Sequence, residues 1–161
     1  MKKTALFLLA ALALGACSGN NNAPNNTAAP AEEKVVAAVE EVAAEPYAPD
    51  GTVHAYDNNA LYAPGTPVPN LTILDFNAVW CGPCRQFGPV FAEAAANYNG
   101  RVTFVSVDVD SYPGVFQAFN VGESIPAVVF IKPDGSYTYK IGTGEIMPYA
   151  NFAALIDSNL N

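Results

Sequence analysis

The chain has 161 residues, 51% of them hydrophobic, with seven Lys or Arg against 15 Asp or Glu and a formal net charge of −8. That length admits one domain with a core plus a tether, and no basic patch argues for a nucleic-acid partner. Cys81 and Cys84 alone cannot fill a four-ligand structural zinc site: the single histidine, His54, is distant in sequence and there is no second C-x-x-C pair.

The N-terminus reads MKKTALFLLAALALGACSGN. Lys2 and Lys3 precede an apolar run from Thr4 to Ala16. A bilayer span needs about 20 apolar residues, so this shorter run fits a signal-peptide core. It ends in Leu-Gly-Ala-Cys and resembles a bacterial lipoprotein signal, in which Cys17 is lipidated and becomes the first residue. The resemblance implies a signal over residues 1–16 and a membrane anchor at Cys17. Ser18, rather than Asp, follows the cysteine. By the enterobacterial sorting pattern this favours the outer membrane, with the protein facing the periplasm. Lipidation also removes the odd thiol that would be suspicious in an exported protein.

Residues 17–50 read as a tether. The stretch SGNNNAPNNTAAPA has no large apolar side chain with which to build a core. In the following AEEKVVAAVEEVAAE, Val35, Val39 and Val42 recur at helical spacing, which predicts a solvated helix within the spacer. A flexible linker of about 33 residues reaches about 30 Å on average.

The globular pattern is assigned to residues 51–161. TVHAY predicts a short strand carrying His54 as a surface residue, and LTILDFN, Leu71 to Asn77, predicts a strong one. The segment between them is left without an element. Next, Phe87, Val90, Phe91, Ala94, Ala95 and Tyr98 line one helical face, with Pro89 predicting a kink. RVTFVSVDVD predicts a β-branched strand, and YPGVFQAFN a short helix with Val115, Phe116 and Phe119 inward. AVVFIK and SYTYKI flank a Pro-Asp-Gly turn and predict a hairpin. PYANFAALIDSNL closes the chain, with Phe152, Leu155, Ile156 and Leu160 on one face. Strands alternating with helices, then a hairpin, predict an α/β fold: a central mixed sheet flanked by helices on both faces.

NAVWCGPCRQFGP, residues 77–89, lies where the strong strand meets the first helix. Cys81 and Cys84 are two residues apart. They close almost no loop, so they make a poor structural staple. A working redox pair is the remaining reading.

This region resembles the thioredoxin family, over roughly residues 51–161. Trp80, Cys81, Gly82, Pro83 and Cys84 form the family's active-site motif between a strand and a helix. Asp75 lies six residues before Cys81, where the family keeps a buried acid. Pro89 matches a helix-kinking proline, Pro126 in Ser-Ile-Pro-Ala a cis-proline, and Gly142 a late glycine beside the site. The 42 residues from Cys84 to Pro126 leave no room for the insertions of the periplasmic oxidases or the cytochrome-maturation reductases.

The resemblance implies a thiol–disulfide oxidoreductase whose only redox group is the Cys81–Cys84 couple, with no other cofactor and no metal. Cys81 would attack a substrate disulfide. A helix N-terminus carries partial positive charge, which favours the thiolate. Cys84, expected to be the more buried, would resolve the mixed disulfide, and Asp75 would take its proton directly or through water. Gly82 and Pro83 would tune the helix start. Trp80 would act as a lid, and Ile125 before a cis-Pro126 would pair with an extended substrate. The implied partners are disulfide-bearing envelope proteins and a membrane thiol relay as electron donor, with the protein working as a monomer. An oxidase of exported proteins and a redox-silent peptide-binding module are the alternatives.

Two positions depart from the family pattern. Asn77 stands where a tryptophan is usual, and Ser106 aligns with a usual lysine beside the buried acid. Arg85 preserves a charge next to the motif.

Overall fold

The computed structural model of this chain describes residues 44–161. The expected signal, the lipidation site at Cys17 and the Val35–Val42 segment lie outside the described residues. Eight elements follow: β1 (Val53–Ala55), β2 (Leu71–Asn77), α1 (Gly82–Asn97), β3 (Val102–Asp108), α2 (Pro113–Ala118), β4 (Ala127–Ile131), β5 (Tyr137–Ile141) and α3 (Tyr149–Leu160). Their order is the one the hydrophobic periodicity predicts. None of the described helices is long and apolar enough to cross a membrane.

The strands form one sheet in the order β1-β3-β2-β4-β5. β3 runs parallel to β1 and β2, whereas β4 is antiparallel to both β2 and β5. A parallel pair cannot be joined by a tight turn, so α1 carries the chain from β2 across to β3. β2 is the middle strand, and six of its seven residues are buried, which explains its nearly continuous apolar run.

Side chains alternate between the two faces of a strand. One face holds Leu71 and Ile73 of β2, Val102 and Phe104 of β3, and Val128 and Phe130 of β4, under α1 and α3. Phe152 of α3 is fully buried there, its ring 5.1 Å from that of Phe87 and 6.0 Å from that of Phe91. The other face holds Leu74, Phe76, Val105, Val107, Val129 and Ile131, packed with Phe119, Val121 and the partly buried Val115 and Phe116 around α2. Helices therefore cover both faces of a mixed sheet. By the same alternation Asp75, Asn77 and Ser106 fall on the face that α1 covers.

The stretch left without an element has none. It contributes Tyr62 and Val68 to the second face and is tied to the hairpin turn by Gly65 N–H to Gly135 O and Val68 N–H to Pro133 O. Gly135 has φ +83°, and a Cβ there would lie 2.8 Å from the Gly65 carbonyl. Glycine is the residue that fits both demands.

Several expectations need correction. Leu160, the last residue of α3, is 36% exposed; Phe152 and Ile156 carry that helix's burial. Val115, Phe116 and Phe119 do face inward, the first two partly buried and Phe119, just past the end of α2, fully buried. Residues 45–50, read as tether from composition, lie against the domain. The Tyr47 N–H donates to Tyr62 Oη at 2.6 Å, and the Tyr47 ring stacks on those of His54 and Tyr62. His54 is accordingly half-buried rather than a plain surface residue, with Nε2 2.8 Å from the Ala48 carbonyl oxygen and 3.3 Å from Asp50. A single tyrosine in a Pro/Ala-rich stretch leaves no periodic signal, so composition could not reveal this docking.

Candidate active site

Cys81 is the N-cap of α1, in extended backbone conformation, with proline in the first turn of the helix behind it. Proline has no N–H, and the first turn leaves its N–H groups without helical partners, so nothing is lost there. The Cys84 N–H, one of those unpaired donors, points at Cys81 Sγ from 3.2 Å. Cys81 and Cys84 are joined as a disulfide, with Cα atoms 5.3 Å apart. They are 4% and 5% exposed, packed with Ala78 and against Val109 and Ile125. Cys84 was expected to be the more buried. In the disulfide both sulfurs share one cover, so burial does not separate them. Position does: Cys81 stands at the helix tip, whereas Cys84 lines an open cavity of about 320 Å³ together with Asp75.

Asp75 is 4% exposed on β2. Its Oδ2 accepts from Asn77 Nδ2 at 3.2 Å, and its Oδ1 has no protein partner. Burial pushes the carboxyl up to about 7, and the Asn77 hydrogen bond opposes that rise. A charged carboxylate loses hydration when buried, so the neutral form gains. A group poised near neutrality can both accept and return a proton at working pH. The same cavity is lined by Asn77, Ser106 and Arg85 within a largely apolar wall, so the buried acid and Cys84 share one opening.

On the outer side, Trp80 is 64% exposed and Val79 82%. The Trp80 indole N–H donates to Asp110 Oδ2 at 2.7 Å, which holds the ring beside the disulfide. Ile125 packs against the two cysteines, and the Ile125–Pro126 bond is cis. Gly142 has φ +71°, and its N–H donates to the Pro126 carbonyl at 2.8 Å. Thus Trp80, Cys81, Gly82, Pro83 and Cys84 come from the β2–α1 junction, Ile125 and Pro126 from just before β4, and Gly142 from just after β5. Arg85 donates to the Val79 carbonyl at 3.3 Å. Among the described residues, no group of three or more His, Cys, Asp or Glu side chains could hold a metal ion.

A thioredoxin family model matches residues 66–156, more than half of the chain and the whole of this site. The chain belongs to the thioredoxin family. It is 48% identical over 71 residues to an H-type thioredoxin of Oryza sativa subsp. indica, covering 44% of this chain and 56% of that protein. It is 38% identical over 88 residues to a thioredoxin of Staphylococcus aureus, covering 55% of this chain and 81% of that protein. Among solved structures it resembles chloroplastic thioredoxin z, described as defining a type-specific target recognition, with a TM-score of 0.57 at 25% identity over 66% of this chain and 93% of that one. Family membership and the Cys81–Cys84 pair together support a thioredoxin-like thiol–disulfide oxidoreductase.

Sequence reasoning missed two features of this thioredoxin-family site. Asp110, which holds Trp80, lies 30 residues away and has no local signature. Asn77 and Ser106 were noted only as departures; the structure joins them, Nδ2 to Oγ at 2.8 Å. Only the β2–β3 register, which pairs Asp75 with Ser106, brings them together.

Proposed function

We propose that this chain is a protein-disulfide reductase or isomerase of the bacterial cell envelope, anchored by lipid at Cys17 and facing the periplasm. The observation that carries the reading is the Cys81–Cys84 disulfide at the tip of α1, backed by a buried carboxyl that shares a cavity with Cys84. The signal-like residues 1–16 and Cys17 carry the location.

In the reduced form the Cys81 thiolate attacks a substrate disulfide. One substrate sulfur leaves as thiolate and takes a proton, and Cys81 is held in a mixed disulfide. Asp75 accepts the Cys84 proton, directly or through water. The Cys84 sulfur then attacks Cys81 Sγ, expelling the second substrate sulfur. Two electrons pass to the substrate, and Cys81–Cys84 is left oxidised. Trp80, Ile125, Pro126 and Gly142 border the sulfurs and would hold the substrate chain in extended form. A dithiol supplied by a membrane thiol relay would restore the reduced enzyme.

The test is the redox equilibrium of Cys81–Cys84 with glutathione, together with an insulin-type reduction assay. A potential near about −270 mV is expected, and one near about −120 mV would instead mark an oxidant. The anchor is tested separately, by fractionating cells that carry the wild-type chain or Cys17→Ala; only the wild type should follow the membrane.

A further inference from the structure

We propose that Asn77, held in place by Ser106, is the positioning residue of the Asp75 proton relay: its amide orients the buried carboxyl and is the side chain that stabilises its negative charge. The inference rests on the reductase reading above. Asn77 Nδ2 lies 3.0 Å from the Asp75 backbone carbonyl, 3.2 Å from Asp75 Oδ2 and 2.8 Å from Ser106 Oγ. An amide has two N–H hydrogens, so both are committed to this cluster. The reverse amide orientation would set its oxygen against the Asp75 backbone carbonyl oxygen, 3.0 Å away and never a donor, so the amide nitrogen belongs on this side.

No cation takes over this duty. The ion pairs among the described residues are His54–Asp50 and Lys140–Glu145, both elsewhere. Arg85 lines the same cavity but spends a donor on the Val79 carbonyl. The titratable groups on that cavity are Asp75, Cys84 and Arg85. β1 adds Val53 and β3 adds Ser106, and β4 sets Val128 opposite Asp75. Val53, Ser106 and Val128 carry no ionisable group that could hold the Asp75 charge in its place. With Oδ1 lacking any protein partner, the Asn77 bond is what the carboxylate keeps when it ionises. Ser106 matters because an untethered amide at a strand end would turn away to solvent.

A merely structural Asn77 would leave the proton chemistry untouched, so the test reads it directly. The Asp75 carboxyl is titrated by ¹³C NMR in the full chain, reduced, as wild type, Asn77→Leu and Asn77→Ser. Rapid mixing then separates the first attack by Cys81 from resolution by Cys84. Asn77→Leu should raise the Asp75 midpoint by about one unit, a roughly tenfold loss of carboxylate at a given pH below it. Resolution at pH 7 should slow several-fold, with the first attack changed less than twofold. Asn77→Ser keeps a donor and should shift the midpoint by less; if the leucine variant fails to fold, this smaller rise is the deciding result. An unmoved midpoint in either folded variant overturns the proposal. A midpoint that moves in a chain that exchanges no disulfides upholds the hold of Asn77 on Asp75 and rejects the reductase reading instead.

Discussion

The backbone N–H of Cys84 is directed at the sulfur of Cys81 from 3.2 Å, so the helix that carries the second cysteine solvates the first. When the disulfide opens, that donor faces a developing thiolate at Cys81, a charge-assisted hydrogen bond of the stronger kind. Cys84 has no equivalent donor placed on it and lies toward the Asp75 cavity. Cys81→Ser should abolish disulfide reduction, whereas Cys84→Ser should accumulate covalent substrate adducts that dithiothreitol releases. Non-reducing gels of both variants check this; adducts on Cys81→Ser alone would reverse the roles.

Asp75 makes stability depend on pH. Its folded value of about 7 lies above the ordinary 3.8. Between those values the native state holds a proton that the unfolded chain releases, so stability falls as pH rises from about 4 to about 7, then levels. The full effect is on the order of 4 kcal/mol. Asp75→Asn removes the titration. It should be more stable than wild type at pH 8, with the advantage vanishing near pH 4. Urea midpoints of both proteins across that range decide it.

Trp80 is the sole tryptophan, and Asp110 pins it. Asp110→Ala should cost only about 0.5–1.5 kcal/mol, since the bond is exposed. It should free the ring, so the fluorescence anisotropy of Trp80 falls and the Michaelis constant for protein substrates rises. Unchanged anisotropy would show that packing, not this bond, holds the indole.

Tyr47 fastens the chain that leads into the domain. Its N–H bonds Tyr62, its carbonyl accepts from Thr103 Oγ1 at 3.3 Å, and its ring stacks on His54. Tyr47→Ala should destabilise by about 1–3 kcal/mol. Tyr47→Phe should cost less, because it keeps the stack and the backbone bonds. Thermal denaturation of both variants provides the comparison.

Much of this molecule is written in short-range patterns. Leu71–Asn77 and the β-branched run through Val107 read as strands because apolar side chains fill both faces of a buried sheet. Phe87, Phe91 and Tyr98 mark a helix because 3.6 residues make a turn. Cys81 and Cys84 stand out because their spacing spans the first turn of that helix, wherever the rest of the chain goes.

Other features exist only once the strands are in register. Asn77 meets Ser106 across 29 residues, Trp80 meets Asp110 across 30, and Tyr47 meets Tyr62 across 15. The order of elements, the cysteine pair and the candidate acid are legible along the chain, since each rests on residues near one another in it. Only the packing of distant segments settles what surrounds Asp75, how evenly the two cysteines are covered and where Tyr47 docks. Those outcomes depend on which strands lie side by side, and local periodicity carries no record of that.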